Sequence, residues 1–247
     1  MKFIGVIPAR YASTRLPGKP LADIHGKPMI QWVYENARKA LDRVIVATDD
    51  HRVVEAVEAF GGEVMMTAAD HQSGTDRIGE VARKLGDSLN AADVVVNIQG
   101  DEPYIQTQQI ELLSALFADE EVQIGTLVKK IDNTEVLFNP NIPKVVLDKS
   151  SHALLFSRSA IPFARDVEKE EWLKHHTYYK HIGMYAYRVS TLLELVQLPI
   201  GKLEQAESLE QLRWLENGYK IKVAMTLLES LAVDTPEDLE KARRFAD

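Results

Sequence analysis

The chain has 247 residues, of which 45% are hydrophobic and 27% are charged, and its formal net charge is -8. This composition is typical of a soluble globular protein with a sizeable core, and the net negative charge argues against binding to nucleic acid or to an anionic membrane. The absence of cysteine excludes disulfides, thiolate metal sites and cysteine nucleophiles. No apolar run approaches the length of a membrane span, and the first residues show no signal-peptide pattern, so we expect a cytoplasmic protein.

The first predicted element is a strand followed by a cation-rich loop. The apolar run at residues 3–7 predicts a buried strand, and a helix with Pro28 in its first turn is predicted after the loop. The segment between them, residues 8–21, contains three cations, Arg10, Arg15 and Lys19. Loops at the carboxyl ends of strands bind ligands in open α/β sheets, and cations beside a tight Pro-Gly turn suit a polyphosphate. This loop is therefore predicted to bind phosphates.

Strand and helix signals alternate through the rest of the first half. Buried strands are predicted at residues 43–48, 63–66 and 93–98. Helices are predicted after the N-cap Asp50, after a polar loop at residues 67–75, and at residues 106–117. This alternation predicts an α/β protein with a mostly parallel central sheet flanked by helices.

The second half of the chain is less regular. Strands are predicted at residues 124–128, 144–147, 153–157, 181–188 and 220–224. One helix is predicted at residues 203–217, and the last helix is predicted to have Thr235 as its N-cap with Pro236 and Asp238 in its first turn. We predict a single domain, residues 1–247, in which residues 130–180 form an excursion that protrudes from the sheet.

Motifs in the same order along nearly the whole chain resemble those of the 3-deoxy-manno-octulosonate cytidylyltransferase family, also called CMP-Kdo synthetases. They are the loop at residues 8–21, QSGTDR at 72–77, NIQGDEP at 97–103, FNPN at 138–141, FSRSAIP at 156–162, HIGMY at 181–185 and VDTPEDL at 233–239. The resemblance implies a Rossmann-like nucleotidyltransferase fold. It also implies transfer of CMP from CTP to 3-deoxy-D-manno-octulosonate (Kdo), with release of pyrophosphate. Departures from the family pattern lie mostly at residues 166–179.

The same resemblance implies the biological setting and the partners. CTP and Kdo are the expected small-molecule substrates, Mg²⁺ is the expected cofactor, and the pathway is lipopolysaccharide biosynthesis. The family is typically homodimeric, and we expect the excursion at residues 130–180 to form the dimer interface. No nucleic-acid or membrane partner is expected, in line with the net charge.

Nucleotidyl transfer requires cations on the leaving phosphates, and the first loop supplies them. In the family this loop holds the CTP triphosphate, so the predicted nucleotide-binding residues are Pro8, Ala9, Arg10, Ser13, Arg15 and Lys19. Of these, Arg15 and Lys19 are predicted to be catalytic, because they would stabilise the leaving pyrophosphate. Cytosine and ribose are predicted to contact the next motif, through Gln72, Ser73, Gly74 and Thr75. The alternative for Ser73 or Thr75 is that it only caps the following helix.

Two carboxylates distant in the sequence are predicted to hold Mg²⁺ and to be catalytic. Asp101 follows the strand predicted at residues 93–98, and Asp234 precedes the last helix. Mg²⁺ binds few carboxylates and completes its coordination with phosphate oxygens and water, so two aspartates form a sensible set. The alternative for Asp234 is helix-end electrostatics, and Glu102 is predicted to support the site rather than to bind metal.

The acceptor is an acidic sugar, whose carboxylate is well matched by an arginine or by several hydrogen-bond donors. From their position at strand ends and from the family pattern, the predicted sugar-binding residues are Arg77, Gln99, Arg165, His181, Tyr185, Glu210 and Gln211. His181 and Tyr185 are four residues apart on a predicted strand and therefore share one face. Each has a structural alternative, as a core histidine and a core aromatic residue, and Glu210 has one as part of a solvated helix face.

Two other functions remain open at this point. One is a cytidylyltransferase for a related acidic sugar, an 8-amino Kdo analogue or sialic acid. The other is a non-catalytic nucleotide-binding module. The run at residues 16–21 favours the Kdo family over the sialic acid enzymes, and the joint presence of Asp101 and Asp234 favours metal-dependent chemistry over binding alone.

Overall fold

The computed structural model describes residues 1–13 and 15–245. Its internal packing divides the chain into two compact units. Unit 1 comprises Met1–Glu111, Ala186–Val196 and Glu229–Asp247, and unit 2 comprises Leu112–Tyr185 and Gln197–Leu228. The predicted excursion at residues 130–180 falls within unit 2. That residues 1–247 form a single domain stays a prediction.

Unit 1 contains most of the alternating strands and helices. Its strands are β1 (Phe3–Pro8), β2 (Asp23–Ile24), β3 (Lys27–Pro28), β4 (Arg43–Thr48), β5 (Glu63–Met66) and β6 (Val94–Asn97). Its helices are α1 (Met29–Arg38), α2 (His51–Ala59), α3 (Gly74–Leu85), α7 (Val189–Leu195) and α10 (Pro236–Arg244). Short 3-10 turns cover Lys19–Leu21 and Gly86–Ser88. Helix α4 (Thr107–Ala115) begins in unit 1 and ends in unit 2.

The strands of unit 1 form a parallel sheet in the order β6-β1-β4-β5. The inner residues of β1 and β4 are fully buried, as their apolar runs predict. Helices α1, α2 and α3 connect successive parallel strands and pack against them. Since parallel strands end at the same edge of a sheet, the segments that follow Pro8, Thr48, Met66 and Asn97 meet there, and they carry the candidate site.

Unit 2 contains the remaining elements. Its strands are β7 (Ile124–Lys130), β8 (Lys144–Leu147), β9 (Ala153–Ser157), β11 (Ile221–Met225) and the first part of β10 (Tyr179–Arg188), which continues into unit 1. Its helices are α5 (Thr134–Phe138), α6 (Trp172–His175), α8 (Lys202–Glu207) and α9 (Gln211–Glu216), and 3-10 turns cover Leu116–Ala118 and Lys169–Glu171. Strands β7 and β11 are parallel, whereas β8 is antiparallel to β9 and to β10. The predicted α/β class with a mostly parallel sheet is confirmed.

Three helix starts follow the predicted capping chemistry. The Asp50 carboxylate accepts from the backbone N–H of Arg52, and Thr235 forms a reciprocal capping box with Asp238. Ser73, and not Thr75, is the N-cap of α3. Pro28 lies at the N-cap position, one residue before the first turn of α1, because its extended backbone pairs with Asp23 in the β2–β3 hairpin.

The prediction of a single helix at residues 203–217 is wrong, because the chain forms α8 and α9 with a break at Ser208. The backbone of Ser208 is left-handed, with a φ of 51°. Arg158 donates to the carbonyl of Glu207 at 2.6 Å and to that of Ser208 at 3.2 Å, and the Glu207 carboxylate accepts from the Ser157 hydroxyl at 2.6 Å. These tertiary bonds occupy carbonyls that a continuous helix would use itself.

None of the helices in the described part of the chain combines the length and the apolar character that crossing a membrane requires.

Candidate active site

The centre of the candidate site is one lysine between two aspartates. The Nζ of Lys19 donates to Oδ2 of Asp101 at 2.7 Å and to Oδ1 of Asp234 at 3.1 Å. Asp101 follows β6, Lys19 follows β1, and Asp234 stands two residues before α10. The backbone N–H of Val233 donates to the carbonyl of Asp101 at 2.8 Å, which ties the segment before α10 to the end of β6. The two predicted metal ligands are therefore brought together in unit 1.

A cavity of about 440 Å³ opens at this point. Its lining consists of the first loop, the segment after β6 and one residue before α10: Pro8, Ala9, Arg10, Ala12, Ser13, Arg15, Lys19, Pro20, Gln99, Gly100, Asp101 and Asp234. Arg10 and Arg15 are exposed, and Arg15 lies 3.3 Å from Asp234. All six nucleotide-binding residues predicted in the first loop line one cavity. Its three cations make it suitable for a polyanion.

The first loop is held in place by backbone contacts. Gly18 has a φ of 69°, a left-handed conformation that suits glycine, and its N–H donates to the carbonyl of Tyr11 at 3.2 Å. The 3-10 turn that follows begins at Lys19 and carries its side chain toward the aspartates. The guanidinium of Arg52 lies 3.4 Å from the centre of the Tyr11 ring. This contact was not predicted, because nothing in the sequence links residues 41 positions apart.

The charge state of the site follows from these contacts. Burial lowers the pKa of Lys19, but the carboxylates of Asp101 and Asp234 outweigh it and raise the pKa above its ordinary value. Lys19 is therefore a permanent cation at neutral pH. Burial also raises the pKa of the neighbouring Glu102 to about 7, reinforced by the charge of Asp101 and opposed by a hydrogen bond from Ser230. The Glu102 carboxyl is therefore partly protonated at neutral pH, and its supporting role stays a prediction.

The second predicted nucleotide motif lies at the start of α3. Residues 67–73, here called the entry loop, connect β5 to this helix. The Ser73 hydroxyl accepts from the N–H of Asp76, and the Asp76 carboxylate accepts from the N–H of Ser73. A Cβ built on Gly74 would lie 3.5 Å from Cγ of Pro8, so the helix start adjoins a residue that lines the cavity. The Gln72 side chain donates to the carbonyl of Asp70, and Thr75 is buried.

Arg77 lies inside unit 1 and is only 1% exposed. Its guanidinium donates to Oδ2 of Asp49 at 2.8 Å and to Oγ1 of Thr67 at 2.5 Å. Asp49 follows β4 and Thr67 follows β5, so Arg77 links the ends of two strands to α3. These partners were not predicted from the sequence, and Gln99, the other sugar-binding residue predicted in unit 1, lines the cavity itself.

Unit 2 contains the other predicted sugar-binding residues, and two of them, His181 and Tyr185, belong to one aromatic cluster. The His181 ring lies 5.1 Å from those of Phe156 and Tyr185, and Tyr185 lies 5.0 Å from Trp214. Gln211 is buried at the start of α9, one turn before Trp214. Trp214 was not predicted as part of this group, although its spacing of three from Gln211 indicates that both share a helix face.

His181, Glu210 and Arg165 differ in their surroundings. The Nε2 of His181 lies 3.0 Å from Oγ1 of Thr126, and desolvation lowers the pKa of the imidazole to about 3. Glu210 is the N-cap of α9 and not, as predicted, a residue within a long helix. Arg165 is 88% exposed, with Asp166 3.4 Å away.

The family of the chain follows from its relatives. A family model described as cytidylyltransferase matches residues 4–221. The 3-deoxy-manno-octulosonate cytidylyltransferase of Parabacteroides distasonis is 60% identical over 99% of the chain and 98% of the relative. That of Phocaeicola vulgatus is 59% identical over 99% of the chain and 97% of the relative. The chain belongs to the 3-deoxy-manno-octulosonate cytidylyltransferase family.

A solved structure agrees with this membership of the cytidylyltransferase family. It is that of a CMP:2-keto-3-deoxy-manno-octonic acid synthetase complexed with CTP, which superposes on the chain with a TM-score of 0.90. The two sequences are 46% identical, and the match covers 98% of this chain and 97% of the other. The fold and the family expected from the sequence motifs are thereby confirmed.

The cavity of this cytidylyltransferase contains two carboxylates that could hold a metal ion. Asp101 and Asp234 both reach one nitrogen atom, so their carboxylates converge on one point. Residues 1–13 and 15–245 contain no group of three or more His, Asp or Glu side chains arranged to hold a metal ion. Two carboxylates with room beside them suit Mg²⁺, which takes its other ligands from water and phosphate oxygens.

Proposed function

We propose that the protein transfers CMP from CTP to Kdo and releases pyrophosphate. The observation that carries the proposal is the convergence of Lys19, Asp101 and Asp234 in a cation-lined cavity of a chain 60% identical to a 3-deoxy-manno-octulosonate cytidylyltransferase. In this reaction a hydroxyl oxygen of the sugar attacks the α-phosphorus of CTP, and the proton of that hydroxyl passes to water. The bond from that phosphorus to the bridging oxygen breaks, and pyrophosphate leaves with the electron pair.

The first loop supplies the charge that the leaving group needs. The cations Arg10, Arg15 and Lys19 line the cavity and would bind the triphosphate, and Lys19 is held as a cation by its two carboxylates. Charge that is already in place where negative charge develops lowers the barrier to phosphoryl-type transfer. Pro8, Ala9 and Ser13 add backbone and hydroxyl contacts to the nucleotide.

Asp101 and Asp234 would hold Mg²⁺. When bound, Mg²⁺ supplies positive charge to the phosphate oxygens of CTP. Lys19 now neutralises the same two carboxylates, so metal binding would free its ammonium group to face the phosphates. The base and ribose would contact Gln72, Ser73, Gly74 and Thr75 beside Pro8.

The residues that we propose for sugar binding are Gln99 in unit 1 and, in unit 2, His181, Tyr185, Glu210 and Gln211. Of the two arginines predicted to bind its carboxylate, Arg165 has an exposed guanidinium, whereas Arg77 is buried on Asp49 and Thr67. We therefore propose that Arg165 binds the carboxylate of the sugar and that Arg77 has a supporting role. We also propose a cytoplasmic homodimer that serves lipopolysaccharide biosynthesis, with the interface at residues 130–180.

Pyrophosphate release with a panel of substrates tests this function. The purified protein is incubated with each of CTP, UTP, ATP and GTP, combined with Kdo, 8-amino Kdo or sialic acid, in the presence of Mg²⁺. We expect the highest kcat/KM for CTP with Kdo. A higher kcat/KM with 8-amino Kdo or sialic acid would show that this sugar, and not Kdo, is the acceptor. CTP binding without any pyrophosphate release would indicate a binding module.

A further inference from the structure

A stripe of charged side chains on α3 holds the segment that leads into this helix. Arg77, Glu80 and Lys84 lie at spacings of three and four and therefore share one helix face. Arg77 donates to the Thr67 hydroxyl at 2.5 Å, and Lys84 donates to the carbonyl of Met66 at 2.7 Å. These two contacts reach the end of β5 and the first residue of the entry loop.

Glu80, in the middle of the stripe, contacts the interior of the entry loop. Its Oε2 accepts from the backbone N–H of Ala68 at 2.9 Å and from Nε2 of His71 at 2.5 Å. Its Oε1 lies 2.7 Å from Nζ of Lys84. One carboxylate oxygen thus joins two points of the loop that are three residues apart. The side chains of Glu80 and His71 are 16% and 14% exposed, so the contact is largely shielded from water.

The carboxylate is ionised under all ordinary conditions. Burial raises its pKa, but the hydrogen bonds from Lys84, the Ala68 amide and His71 outweigh this and bring the pKa of Glu80 to about 2. Hydrogen bonds to an ionised acceptor are stronger than neutral ones. Without the carboxylate, the Ala68 N–H would face water and the largely buried His71 imidazole would lose its partner.

We propose that Glu80 is a positioning residue for the nucleotide, because its carboxylate fixes the entry loop in the shape that presents Gln72 and Ser73 to cytosine and ribose. This inference rests on the proposed function, in which the loop contacts the nucleoside. Glu80 acts through Ala68 and His71, which precede the contact residues by a few positions. It holds the loop before CTP arrives, so that binding does not have to order it.

The test compares Glu80→Ala, Glu80→Gln and the control Glu58→Ala, which removes an exposed carboxylate from α2. For Glu80→Ala we expect the Kd of CTP, titrated without sugar, to rise about tenfold or more. This change corresponds to the loss of one or two charge-assisted hydrogen bonds that hold the entry loop. We expect the KM for CTP to rise equally, while kcat and the KM for Kdo change by less than about threefold. Glu80→Gln keeps an acceptor oxygen and should lie between Glu80→Ala and the wild type.

Three further readouts separate positioning from general destabilisation. Hydrogen exchange of the backbone amides at residues 68–72 should become faster in Glu80→Ala and remain unchanged in Glu58→Ala. The ratio of kcat/KM for CTP over UTP should fall, because a loose loop discriminates bases less well. His71→Ala should act in the same direction, and the double variant should cost less than the sum, because both changes break one contact.

The proposal is overturned if Glu80→Ala folds, shows faster exchange in the loop and still binds CTP with a Kd within twofold of the wild type. If Glu80→Ala does not fold, Glu80→Gln and His71→Ala decide, and unchanged CTP affinity in both would equally overturn it. Failure of the proposed function looks different, because then the wild type itself would not release pyrophosphate from CTP and Kdo.

Discussion

Lys19 and Asp101 are 82 residues apart in the sequence, yet Nζ of Lys19 lies 2.7 Å from Oδ2 of Asp101. The parallel arrangement of β1 and β6 is the reason, because both residues follow neighbouring strands at the same sheet edge. The same ammonium reaches Asp234 at 3.1 Å, so one cation joins the first loop to both predicted metal ligands. Substitutions at this junction should therefore affect catalysis.

Asp101→Asn and Asp234→Asn should each lower pyrophosphate release by on the order of a hundredfold or more, because each removes a proposed charged ligand of Mg²⁺. Release by the wild type should stop in EDTA and return with added Mg²⁺. The measurement is turnover against Mg²⁺ concentration, with Asp87→Asn at an exposed position of the same unit as control. Wild-type turnover of both variants at limiting Mg²⁺ would show that the metal assignment is wrong.

Arg15→Ala should reduce kcat by about a hundredfold and leave the melting temperature nearly unchanged. Its side chain is 65% exposed and its contact with Asp234 is a surface ion pair, which contributes little to stability. Lys19→Ala should reduce kcat as strongly, with a small loss of stability because two carboxylates lose their shared counterion. Lys241→Ala, on the exposed side of α10, is the control. A large fall in melting temperature with normal kcat would assign both cations to the fold.

Tyr185→Phe and Gln211→Ala should raise the KM for Kdo by about fivefold or more while the Kd of CTP stays constant, because each removes a hydrogen bond of about 1 kcal/mol or more from the proposed sugar site. Tyr187→Phe is the matched control, since it makes the same change two residues further along β10. CTP is titrated without sugar, and Kdo is varied at saturating CTP. Equal losses for both substrates would place these residues in the fold or at the nucleotide.

His181 should remain neutral well below pH 6. Desolvation lowers the pKa of its imidazole from 6.5 to about 3, so the unfolded chain takes up a proton at this residue near pH 6.5 and the folded chain does not. Its contribution therefore makes the free energy of unfolding fall as the pH drops from about 6.5 toward 3. His181→Gln should flatten this dependence, measured by urea unfolding between pH 7 and 4.

An NMR titration of labelled histidine checks the same prediction directly. One imidazole signal should keep its neutral shift down to about pH 4, and it should be missing from the spectrum of His181→Gln. If the signal that disappears in His181→Gln titrates near pH 6 to 7 in the wild type, the imidazole is solvated and the prediction fails.

Local sequence determined most strands, the helix caps and the cations of the first loop. Apolar runs such as residues 43–48 became β4 without a shift, and Thr235, Pro236 and Asp238 took their predicted places at the start of α10. These features depend on neighbours in the chain, on burial of a short apolar run and on side chains that bond to nearby N–H groups.

Only the tertiary structure decided the features that depend on distant partners. The helix predicted at residues 203–217 breaks at Ser208 because Arg158 binds the carbonyls there, and the carboxylate of Glu80 holds His71 across the entry loop. The partners of the buried Arg77, Asp49 and Thr67, likewise come from other elements of the fold, and its contact with the sugar stays a prediction. A charged side chain bonds to whatever partner the fold brings within about 3 Å, and that partner cannot be determined from its neighbours in the sequence.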